Sequence, residues 1–103
     1  MKHFHRTTVL PDAALAEADV FFPTIGMKQT AAAPRMRKFE GSVGEPGEQV
    51  TLELVVRMEG GHYTFVEART SAQGESRLDR GVKNYFTRLH RLADPRHALS
   101  ASY

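Results

Sequence analysis

The chain has 103 residues, 41% hydrophobic and 25% charged, which is the ordinary composition of one globular domain, so a single domain spanning residues 1–103 is expected. It contains no cysteine, which excludes disulfides, thiolate zinc sites and cysteine nucleophiles, and no apolar run nears the ~20 residues that cross a bilayer, which excludes membrane insertion by a helix. The net charge of +2 hides an asymmetry: six basic residues face two acidic ones from Arg77 to Tyr103, against eight basic and ten acidic before them, a division that can steer an anionic partner or let a basic helix lie on its own sheet.

The opening MKHFHRTTVLPD lacks the apolar middle of a secretory signal, which makes the cytoplasm the expected location. Within it HFHRTTVL, with Phe4, Thr8 and Leu10 on one parity, predicts a first strand. Pro11 and Asp12 then open a helix whose Ala14, Ala18, Phe21 and Ile25 share a face, with Leu15 and Phe22 beside it. Pro23 ends that helix and Gly26 permits the turn out of it. Lys28 to Val43 reads as one strand, irregular near Ala33-Pro34 because proline cannot donate to a central ladder, and regular from Met36.

Pro46-Gly47 has the order preferred by a type II turn. Val50, Leu52, Leu54, Val56 and Met58 alternate with Thr51, Glu53, Val55 and Arg57, the clearest strand pattern in the chain, and Gly60-Gly61 predicts a two-residue hairpin loop into HYTFVEART. The final helix has an apolar seam of Leu78, Val82, Tyr85, Leu89 and Leu92 flanked by Phe86 and Ala93; Ser76 with Asp79 resembles a shortened capping box, and Asp94-Pro95 ends the element. The expected fold is therefore α+β, in the order β-α-β-β-β-α, with an antiparallel sheet of about four strands and both helices on one face.

The run from Val50 to Leu92, with Gly60-Gly61 at its hairpin and Gly74 before the helix, resembles the end of a helix-grip domain of the START and SRPBCC kind, in which two long strands lead into a long C-terminal helix. The chain would be a pared-down relative. The resemblance implies binding of a small apolar or amphipathic ligand, and some members of that superfamily are cyclases or hydrolases.

No residue reads as catalytic, and no cofactor is indicated. His3 and His5 share a strand face while His62, His90 and His97 are scattered, and no carboxylate stands at a recognised ligand spacing from any of them, so no metal site is predicted. Ser71, Ser76 and Thr70 precede the last helix without a nucleophile-elbow pattern, and QGES is more economically a turn and a helix cap. Phosphate-loop patterns are missing.

Two functional surfaces remain. If Gly60-Gly61 is the whole hairpin loop, Met58, Val56, Leu54 and Leu52 face Tyr63, Phe65, Glu67 and Arg69 on the helix side; Tyr63, Phe65 and Tyr85 then wall a pocket in which Glu67 and Arg69 orient a polar ligand group. A bulge or three-residue loop would instead turn Glu67 and Arg69 to solvent. The alternative is an anionic-partner surface, nucleic acid among the candidates: Arg77, Arg80, Arg88 and Arg91 fall within roughly 80° of arc, and four phosphate contacts would give single-strand binding a log–log salt slope near about −2.8. No exposed aromatic is interleaved with that stripe for base stacking. The leading expectation is a non-enzymatic binding or interaction module, with a helix-grip-type enzyme as a third reading. Homodimer packing is expected through the opposite sheet face, which that register composes of Thr51, Val55, Thr64, Val66 and Ala68.

Overall fold

Strand β1 (Lys2–Thr7) leads to α1 (Pro11–Thr24), four strands β2 (Met27–Ala33), β3 (Met36–Gly41), β4 (Val50–Glu59) and β5 (Tyr63–Thr70), and then α2 (Arg77–Ala93). This order comes from a computed structural model, which describes residues 1–43, 49–71 and 76–93. The class is α+β, as expected: one antiparallel sheet in the order β1-β5-β4-β3-β2, with both helices packed on one face. The Pro46-Gly47 turn, Gly74, His97 and the Asp94-Pro95 stop lie outside the described residues.

The sheet has five strands rather than four. Lys28–Val43 is a hairpin, since proline's missing N–H is accommodated here by a turn at Pro34-Arg35 and not by an irregular ladder. Thr30 is the extra residue of a bulge in the resulting edge strand β2, between Gln29 and Ala31. Helix α1 begins at Pro11 with Asp12 in its first turn, and buries Ala14, Leu15, Ala18, Phe21 and Phe22 as its spacing predicts. It runs through Pro23 to Thr24, and Gly26, at φ 91°, carries the turn into β2.

Alternation along β4 places Val50, Leu52, Leu54 and Val56 against the helices. On α2 the seam of Leu78, Val82, Tyr85 and Leu89 is fully buried, whereas Leu92, predicted to belong to it, is 59% exposed. These residues make one core with Phe39, Val66, Ala68 and the α1 face. No helix among the described residues is long and apolar enough to cross a membrane.

The β4–β5 hairpin corrects the two-residue loop. Gly60 and Gly61 both take left-handed φ, 62° and 74°, but the ladder closes at Glu59 and Tyr63, so His62 is a third loop residue. One added residue inverts the parity of the whole strand, because side chains alternate with period two. Thr64, Val66, Ala68 and Thr70 therefore face the helices, opposite Met58, Val56, Leu54 and Leu52.

Candidate functional site

That inversion takes apart the ligand pocket read from the sequence. Tyr63, Phe65, Glu67 and Arg69 lie on the helix-free face, with Tyr85 on the other side of the sheet. Tyr85 is a core residue: its ring packs against Phe22 and Phe86 at centroid distances of 5.3 and 5.8 Å, and its hydroxyl donates to the Ala14 carbonyl at 2.6 Å. Burial first, then the negative charges of Glu17 and Asp19, push its phenol well above the usual range. The patch assigned to dimer packing is corrected by the same shift. Thr51 and Val55 do face away from the helices, but Thr64, Val66 and Ala68 are buried beneath them.

The helix-free face is ordered by the register. Across its middle run Phe4, Glu67, Val55 and Met36, and one step along it Arg6, Phe65 and Arg57 stand side by side on β1, β5 and β4. Phe65 lies 5.5 Å from the Phe4 ring and carries two cations, the Arg57 guanidinium 4.5 Å and the Arg6 guanidinium 5.4 Å from its centroid. Phe4 is 55% exposed and Tyr63 51%. Carboxylates pair with several of the cations: Glu59 with Arg6 at 3.2 Å, Glu67 with Arg69 at 3.4 Å and Glu53 with Lys38 at 3.6 Å. Toward the opposite end a shallow depression of about 360 Å³ opens among Thr30, Lys38, Glu40, Glu53, Arg69 and Ser71. Aromatic rings beside arginines, bordered by mixed charge, suit binding a surface better than transforming a substrate.

A second polar cluster sits where α2 starts. Ser76 precedes the helix and accepts a hydrogen bond from the Asp79 N–H at 3.2 Å, while the Asp79 carboxylate accepts from the Ser76 N–H at 3.1 Å and its hydroxyl at 2.7 Å. This is the capping box expected from the sequence. Thr70 Oγ1 adds a hydrogen bond to the same carboxylate at 2.8 Å, and His3 Nε2 lies 2.7 Å from it, so the cap also fastens β1 and β5 to the helix. Burial alone would raise the Asp79 pKa, but the hydrogen bonds from Ser76, His3 and Thr70 outweigh it and bring it down to about 2. Neither hydroxyl is poised against a free base, because both are spent on the carboxylate; the cluster holds structure and lacks the nucleophile–base–orienter chain of acyl transfer.

His5 stacks on Phe86 at 4.9 Å with an interplanar angle of 14°. Burial and then the nearby His90 lower its pKa, and its Nε2 has no hydrogen-bond partner among the described residues. No group of three or more potential metal ligands gathers among the described residues.

The arginine stripe is only partly available. Arg88 bonds to Glu17 and lies 5.3 Å from the Phe21 ring centre, which binds α2 to α1. Arg77, Arg80 and Arg91 are exposed and make no ion pair with a described residue. Three cations on a helix, with the neighbouring aromatics turned inward, make a thin footprint for a polyanion.

Sequence reasoning missed His3 as a partner of Asp79, the stacked His5, and Arg37, whose Nε donates to Asp19 at 3.0 Å across the α1–β3 contact. The first two pairings join residues far apart in sequence, and local spacing carries no signal for them. The aromatic–arginine row follows from the three-residue loop that the sequence also allows, the reading in which Glu67 and Arg69 turn to solvent. Scanned against models of known protein families and against curated proteins, the chain matches none.

Proposed function

We propose that the protein is a cytoplasmic, non-enzymatic interaction module that binds a partner surface through the helix-free face of its sheet. One observation carries the reading: a sheet face left uncovered by either helix holds the exposed rings of Phe4 and Tyr63 beside a Phe65 ring that is flanked by two arginines. Rings and guanidinium groups are enriched where protein surfaces meet and supply much of the binding energy there. The reading departs from the helix-grip resemblance in where a ligand would sit, since Tyr85, Phe22 and Phe39 fill the space between sheet and helices. Nucleic acid at the C-terminal helix is the weaker alternative, because Arg88 is already engaged by Glu17 and Phe21.

Photo-crosslinking in cells producing the protein tests this. A benzophenone side chain in place of Tyr63 is expected to yield a discrete adduct, whereas the same group in place of the exposed Arg80 on α2 yields none. An adduct from Arg80 with none from Tyr63 would overturn the proposal.

A further inference from the structure

We infer that the occupant of the helix-free face is a second copy of this chain, packed sheet to sheet about a two-fold axis that crosses the strands at Val55. The inference rests on the reading of that face as an interaction surface and adds the partner. It follows from the order of charges about Val55. Arg57 lies two residues beyond Val55 on β4 and Glu53 two residues before it; Phe65 stands opposite Arg57 and Arg69 opposite Glu53 on β5. A half-turn about an axis lying in the face, across the strands at Val55, exchanges these two rows.

Each Arg57 then meets Glu53 of the second copy, a carboxylate that Lys38 of its own chain flanks at 3.6 Å, and each Arg69 comes beside the Phe65 ring of the second copy, which already carries Arg57 and Arg6. The row on the axis brings Phe4, Val55 and Met36 against the same residues of the other chain, while Glu67 in that row is paired within its own chain by Arg69 at 3.4 Å. Lys2 and Arg6 face each other only at the β1 edge, where solvent screens them. The alternative axis, parallel to the strands, is disfavoured by the same register. Because β4 is the central strand, that axis would set Arg57 on Arg57 and Glu53 on Glu53.

Size points the same way. Five strands ~4.8 Å apart and about eight residues long offer roughly 600 Å² per copy, hence ~1,200 Å² in all, the lower limit for specific association. A dimer that forms and dissociates with concentration is expected, with its midpoint on the order of micromolar.

Sedimentation velocity of the whole chain, from about 1 to 300 μM at ~150 mM salt, reads this out. The wild type should move from monomer to dimer mass. Arg57→Glu and Glu53→Arg should each weaken association ~10-fold or more, and the two together, which restore opposite charges across the axis, should return it to within about threefold of wild type. Circular dichroism and melting of each variant separate lost association from lost folding. A chain that stays monomeric throughout, or a double variant no stronger than the singles, overturns the dimer; an adduct of another mass at Tyr63, including one holding RNA, would overturn it while leaving the face as an interaction surface. A dimer indifferent to all three variants, with no Tyr63 adduct, overturns both.

Discussion

Replacing Gly41 by alanine is expected to lower the stability of the protein by roughly 3 kcal/mol and its melting temperature by on the order of 15 °C, although the change adds only one methyl group. At the end of β3 the chain passes directly against the turn that leaves α1. A Cβ on Gly41 would lie closer to the Gly26 carbonyl oxygen than such atoms come in folded proteins, and 3.1 Å from both the Gly26 carbonyl carbon and Met27 Cα. All three are backbone, and Gly26 is held at φ 91°, so nothing yields without breaking the α1–β2 turn. Gly81→Ala is the control. There the added carbon would meet only Ile25 Cδ1, at 2.8 Å, the far end of a side chain that can swing aside, and alanine favours the helix by ~1 kcal/mol. Urea unfolding of the two variants should separate them clearly.

Asp79→Asn is expected to cost about 3 kcal/mol at pH 7 and to change how stability depends on acid. The amide keeps the shape of the side chain but puts an N–H₂ in place of one carboxylate oxygen, so either Ser76, at Oδ2, or Thr70 and His3, at Oδ1, lose their acceptor. The folded pKa of Asp79, about 2, lies below its ordinary value of 3.8. Its contribution is therefore complete above pH 3.8 and is lost as pH falls through about 2, a change on the order of 2 kcal/mol. In the asparagine variant that part of the acid transition should vanish. His5 acts at higher pH in both proteins: its folded pKa lies below 6.5, so the unfolded chain binds the proton first and stability begins to fall as pH drops below 6.5. Urea midpoints measured between pH 8 and 2 check both windows.

How far the sequence discloses this molecule depends on whether the signal is local. Helix faces, the β4 alternation, the Ser76–Asp79 cap and the glycine turn at Gly26 are each set by residues within a few positions of one another, and they are found as read except at the helix ends, where Pro23 stays inside α1 and Leu92 turns to solvent. The strand count differs at Pro34, where a proline marks a turn as readily as an irregular strand. The candidate site failed on a single residue. Glycines at 60 and 61 fit both loop lengths, and only the closing pair of Glu59 with Tyr63 decides which face receives Phe65 and Glu67. A one-residue ambiguity in a turn is small locally, yet it moves an entire strand face from core to surface. Contacts between β1 and α2, such as His3 with Asp79, span 76 residues and leave no trace in spacing.

Among the described residues no element covers one face of the sheet, and Phe65 and Glu67 lie on that face. Thiol labelling tests this placement most directly, because the chain has no cysteine of its own. In native, dilute protein, Phe65→Cys and Glu67→Cys, both half-buried on the helix-free face, should react with a maleimide well ahead of positions beneath the helices, and should slow as the protein is concentrated. Val66→Cys and Ala68→Cys should react only as fast as the core opens. Rapid labelling at 66 and 68 with protection of 65 and 67 in dilute protein would contradict the account.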